Sequence, residues 1–104
     1  MQYFYSAAPL APPSRPVDFG ITHDSLSLNW QAPPFEETHG VIRNYVIAVH
    51  EVETGRNFTE TSNVTQVTLS NLHPFYTYNC SIAAVTVGTG PFSEYISIRL
   101  PEAG

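Results

Sequence analysis

This 104-residue sequence predicts an all-β fold, a seven-stranded antiparallel sandwich. Three observations carry that prediction. Beyond Tyr78 the residues alternate, Cys80, Ile82 and Ala84 on one face and Asn79, Ser81 and Ala83 on the other, which is strand periodicity. Leu26-Ser27-Leu28-Asn29-Trp30 repeats the alternation and ends on the single tryptophan. From Pro16 onward, short β-type runs recur about every ten residues between turn signals, with no segment of helical period.

Each element follows in order. Residues 1–13 are read as a tail or interdomain linker, the aromatic part being either the end of a preceding domain's last strand or an arbitrary exposed tail. Met1-Gln2-Tyr3-Phe4-Tyr5-Ser6 is aromatic, and Ala7-Ala8-Pro9-Leu10-Ala11-Pro12-Pro13 is a proline-rich, semi-rigid spacer. The folded domain is expected over 14–101, with 102–104 a C-terminal stub. Val17 to Ile21 is the first predicted strand and Ser25 to Gln31 the second, stopped by Pro33-Pro34. A polar loop through Glu36, Glu37, Thr38, His39 and Gly40 leads to a long third strand, Val41 to Val52. Ile42, Tyr45, Ile47 and Val49 are its inward positions. Glu53-Thr54-Gly55-Arg56 is a turn in which the glycine supplies positive φ. Asn57 to Thr61 is a polar edge strand, and Gln66 to Leu69 turns Val67 and Leu69 inward. Tyr76 to Val87 is the sixth strand, Gly88-Thr89-Gly90-Pro91 a turn, and Glu94 to Leu100 the seventh, with Ile96 and Ile98 inward.

Composition excludes several classes of function. Net charge is −5 and the only strong cations are Arg15, Arg43, Arg56 and Arg99. Nucleic-acid binding needs clustered cations to displace counterions, and four scattered arginines do not supply them. The same scarcity argues against direct contact with an anionic membrane. No apolar run is long enough to span a bilayer, and the N-terminus lacks the basic and apolar regions of a signal peptide. A lone cysteine forms no internal disulfide; on the apolar face of its strand, Cys80 reads as a small buried hydrophobe rather than a catalytic thiolate.

The residues also resemble a known family, the fibronectin type III domain, over about 12–101. Trp30 followed by Ala32-Pro33-Pro34 is similar to its second strand. Gly40-Val41-Ile42-Arg43-Asn44-Tyr45-Val46-Ile47 resembles its third, and Glu53-Thr54-Gly55 the turn after it. Leu72, Pro74 and Tyr78 followed by Ile82 and Ala84 resemble its tyrosine corner and sixth strand. Gly88, Gly90, Pro91 and Ser93 resemble its last loop. The resemblance implies an immunoglobulin-like sandwich with a structural core of Trp30, Tyr45, Leu72, Tyr78, Cys80 and Ile82. The tyrosine hydroxyl would pin the sheet-to-sheet crossing to backbone upstream. The immunoglobulin family fits less well, because its core disulfide needs a second cysteine. The run Tyr78 to Thr86 with the glycine loop after it is similar to repeats in the ectodomains of receptor-type tyrosine phosphatases. Any phosphatase activity would then lie in another domain, and this one is not an enzyme.

Three N-x-Ser/Thr sequons, at Asn57, Asn63 and Asn79, point to N-glycosylation. Asn79 is outward by strand phase, and Asn57 and Asn63 flank the polar edge strand. The histidines His23, His39, His50 and His73 lack the spacing of a zinc site and read as surface residues. Glu36-Glu37 and Glu51-x-Glu53 lack the dense ligand series of a calcium loop and read as loop solvation. No nucleophile, base and orienter set is visible, and no cofactor is implied. The function expected is a non-catalytic extracellular module of a cell-surface receptor, lying in the extracellular part of a single-pass membrane protein or in a secreted one. It would act as a spacer beside neighbouring fibronectin type III domains. The alternative is a ligand-binding module using loops at one end, such as 33–40 and 53–56, or a sheet edge, with Phe35, Phe58 and Phe92 as apolar candidates.

Overall fold

A computed structural model describes residues 8–103; the aromatic run Met1 to Ser6 lies outside the described residues. Seven strands form among the described residues: β1 Val17–Ile21, β2 Leu26–Asn29, β3 Asn44–Glu51, β4 Asn57–Ser62, β5 Gln66–Leu69, β6 Thr77–Val85 and β7 Ile96–Arg99. They make two antiparallel sheets, one ordered β1-β2-β5 and one ordered β4-β3-β6-β7.

The core lies between the sheets, where the alternating apolar faces meet. Leu26 and Leu28 of β2 face Tyr45, Ile47 and Val49 of β3 and Tyr78, Cys80, Ile82 and Ala84 of β6. Trp30, just past β2, crosses the Tyr45 ring edge-on at 5.5 Å between centroids. Such an arrangement sets the positive ring edge against the negative face. Leu69, Leu72 and Leu100 complete the buried cluster, with Ile42, Val67, Ile96 and Ile98 packed partly buried against it.

Several elements are shorter than the alternation suggests. β3 begins at Asn44, not Val41. Ile42 and Tyr45 both turn inward although three residues apart, so strict period-two pairing cannot hold across 42–45. A short 3-10 turn, Phe35–Glu37, sits in the loop read as merely polar. Ala83, expected to face outward, is fully buried beside Val46 across the ladder. On β1 a bulge at Phe19 breaks the register with β2, and Val17, Phe19 and Ile21 stay 40–58 % exposed.

The topology makes two poles. One gathers the β2–β3, β4–β5 and β6–β7 connections; the other gathers the β3–β4 turn and the corner that enters β6. Loops 33–40 and 53–56 leave opposite ends of β3, so they do not share a surface, contrary to the reading that grouped them. The chain enters at the first pole. The Leu10 N–H donates to the Glu37 carbonyl at 2.8 Å, and Pro9 is buried against Gly90. It leaves at the second, where the Phe75 N–H donates to the Pro101 carbonyl at 3.4 Å.

Candidate functional site

At the entry pole the 3-10 turn lifts Phe35 off the body, 86 % exposed. Val41, 84 % exposed, stands just before β3, and Val87 just after β6. Together with Thr38, His39 and Arg43 they line an open, mostly apolar cleft of about 740 Å³. The Thr38 hydroxyl ties the loop together, its one proton shared between the Phe35 and Gly40 carbonyls, each 2.8 Å away. His39 adopts a left-handed φ of 57°, and its Nδ1 is enclosed without a hydrogen-bond partner among the described residues. Of the three phenylalanines singled out by sequence, this pole contains Phe35. Phe58 lies on β4 opposite Val49, half-buried under the Arg56 guanidinium 4.7 Å from its ring centroid. Phe92, in the β6–β7 connection, does not line the cleft. Val41 and Val87 were not singled out from sequence; the phase break between Ile42 and Tyr45 was the available signal for Val41, and no pattern marked Val87.

At the exit pole the corner tyrosine does more than expected. The His73 N–H donates to the Tyr78 hydroxyl at 2.9 Å, and that hydroxyl donates to Glu51 Oε2 at 2.7 Å. Glu51 is 2 % exposed, so it does not solvate a loop; it ends the inward series Tyr45, Ile47, Val49. Its Oε1 accepts from the Thr54 hydroxyl at 2.5 Å, and Arg56 Nη2 lies 3.5 Å from the same Oε2 that Tyr78 bonds. A buried carboxylate survives only with such partners. The Thr54 bond, followed by those from Tyr78 and Arg56, outweighs burial and holds the Glu51 carboxyl below the usual range. Burial, reinforced by Glu51, pushes the Tyr78 hydroxyl up to about 12. Beside this cluster the Thr77 N–H donates to Glu53 at 2.7 Å, Arg99 approaches Glu53 at 3.7 Å, and the Arg99 guanidinium lies over Phe75.

The outer face of the larger sheet carries a polar row in lateral register. Asn57 of β4, His50 of β3, Asn79 of β6 and Ser97 of β7 are successive neighbours. His50 Nδ1 and Asn57 Oδ1 are 2.7 Å apart. Asn79 is half-buried, its Oδ1 enclosed and without a hydrogen-bond partner among the described residues. Asn63 is exposed in the β4–β5 turn. His23 and His73 lie exposed, whereas His39 and His50 are half-buried. Among the described residues no three His, Cys, Asp or Glu side chains gather to hold a metal. Cys80 is enclosed in the core, and burial pushes its thiol up to about 12.

The fibronectin type III family model matches residues 11–99. This chain belongs to the fibronectin type III family. It is 32 % identical over 81 residues to receptor-type tyrosine-protein phosphatase F of Danio rerio, covering 77 % of this chain and 4 % of that protein. It is 37 % identical over 98 residues to the human cell adhesion molecule DSCAM, covering 86 % of this chain and 5 % of that protein. The chain therefore spans about a twentieth of these relatives' length. Among solved structures, domains A168-A170 of titin superpose with a TM-score of 0.81 at 22 % identity, covering 91 % of this chain and 33 % of that one. The FN5 domain of Drosophila Lar gives 0.70 at 23 % identity, covering 89 % and 100 %. Family and fold make this chain a single non-catalytic fibronectin type III module.

Proposed function

We propose that this domain is an extracellular spacer module of a cell-surface receptor, one bead in a tandem array of fibronectin type III domains. The observation that carries the reading is the polarity of the chain. It enters across one pole, with Pro9 seated on Gly90, and leaves at the other beside Phe75. A module threaded end to end passes on direction and spacing, and a linker seated on the domain limits the swing of its neighbour. Relatives named as a receptor phosphatase and an adhesion molecule, many times longer than this chain, support the same placement. Small-angle scattering on the natural segment containing this domain and both neighbours tests it. An extended particle that lengthens by about one domain per repeat is expected; a compact globule rejects the spacer role.

The exposed cleft at the entry pole favours a second reading, a protein ligand seated on Phe35, Val41 and Val87. Cell–cell aggregation driven by the full-length receptor separates the two. Phe35→Ala with Val41→Ala lowers it if the cleft binds a ligand and leaves it unchanged if the domain only spaces.

A further inference from the structure

We propose that Asn63 carries an N-linked glycan, and that of the three sequons it is the one the folded domain accommodates most freely. The inference rests on the extracellular reading, because the transfer occurs in the secretory lumen. In that reaction the Asn63 amide nitrogen attacks the anomeric carbon of a polyprenyl-pyrophosphate-linked oligosaccharide. The nitrogen–carbon bond forms as the carbon–oxygen bond to pyrophosphate breaks; the pyrophosphate leaves with the electron pair, and the amide gives one proton to a base on the transferase. The acceptor must present Asn and the Thr65 hydroxyl on accessible chain, and the product must leave the fold intact.

Asn63 meets both demands. It lies in the short turn between β4 and β5, exposed, as is Thr65. The turn is held from within rather than by Asn63. The Val64 N–H donates to the Ser62 hydroxyl at 3.2 Å, and that hydroxyl's one proton lies within reach of the Gln66 carbonyl at 2.7 Å and the Val64 carbonyl at 3.0 Å. Among the described residues, a sugar on Asn63 therefore displaces no side-chain hydrogen bond. Asn57 is exposed on the edge strand, but its amide already engages His50 and the Gly55 carbonyl. Asn79 is the least suited. β3 and β7 bond its strand on both sides, and its side chain is half-buried in the polar row with one amide atom enclosed. Asn57 and Asn63 also lie near opposite ends of β4, whose outer edge has no strand partner among the described residues. A glycan at Asn63 would shield the distal part of that edge from pairing with another chain.

The test is translation of the 104-residue chain, fused to a cleavable signal sequence, with animal-cell microsomes. Intact mass is read before and after an amidase that removes N-glycans. N63Q and T65A are each expected to remove one glycan from the wild-type pattern, and N79Q none. Trp30 fluorescence confirms that each variant folds. A wild-type chain with no amidase-sensitive mass, or N63Q with an unchanged mass loss, overturns the proposal. Because the signal sequence delivers the chain to the lumen, such a failure concerns the site alone. Failure of the extracellular reading would appear instead as a parent protein absent from the surface of intact cells.

Discussion

Tyr78 and Glu51 show how much one buried pair can carry. The corner hydroxyl serves a backbone N–H and a carboxylate at once, so Tyr78→Phe strips a partner from the part-buried His73 N–H and another from the buried Glu51 carboxylate. Unsatisfied buried polar groups cost about 1–3 kcal/mol each, with the upper end for charged ones. Tyr78→Phe is expected to lower stability by roughly 2 kcal/mol in a urea melt, more than the loss of one neutral hydrogen bond. Phe75, two residues before β6, is a residue-scale strain of the opposite sense. Its φ of 69° is a conformation bulky side chains rarely adopt, and its ring stays 49 % exposed. Glycine would relieve that strain, about 1–2 kcal/mol, but would also loosen the unfolded chain, forfeit the buried half of the ring and lose the Arg99 contact. Phe75→Gly is therefore expected to leave the urea midpoint nearly unchanged, where the same truncation at an unstrained position would lower it.

Among elements, the seated linker is the one whose sequence signal was proline content alone. Its docking depends on Gly90, where an added Cβ would stand 2.9 Å from the Pro9 side chain and 3.0 Å from its carbonyl. Gly88 has ordinary clearance, 3.6 Å from Ala8. Gly90→Ala should therefore lift residues 8–10 and Gly88→Ala should not. Hydrogen exchange of the Leu10 amide, bonded to Glu37 in the native chain, reads the difference directly. The edge strands behave differently from one another. β4 is polar, whereas β1 exposes Val17, Phe19 and Ile21 and is interrupted by the bulge at Phe19. A bulge twists an edge and spoils it as a template for pairing.

For the whole molecule, ionisation sets the pH range of stability. The Glu51 and Glu53 carboxyls are held below the usual range, the first by the Thr54 bond foremost and the second by the Thr77 N–H. A depressed folded pKa contributes stability that is present above the unfolded value, about 4.3 for glutamate, and is lost as pH falls through the folded one. Cys80 and Tyr78 have the opposite sign. Burial raises both to about 12 in the folded state, so their contribution is lost as pH rises past their unfolded values, about 8.5 and 10. Urea midpoints should be level from about pH 5 to 8 and fall on both sides. Glu51→Gln should flatten the acid limb, and Cys80→Ala the onset of the alkaline one.

The sequence alone was enough for what depends on period and order. Alternation placed Leu26, Leu28, Ile47, Val49, Cys80 and Ile82 in one core because a strand sends every second side chain to the same side. Turn residues at regular spacing separated the strands, and the motifs around Trp30 and Tyr78 pointed to the family that the residues 11–99 match. Glu51 was legible too, in phase with Val49, but charge suggested solvent where phase indicated the core. Only the tertiary structure decided which loops share a pole, that Thr54, Tyr78 and Arg56 converge on Glu51, that Pro9 rests on Gly90, and that Phe35 stands beside Val41 and Val87. Those relations join residues distant along the chain. Local periodicity reports the side of a strand on which a residue lies, whereas the partner it meets there is set by how two sheets stack and how their connections cross.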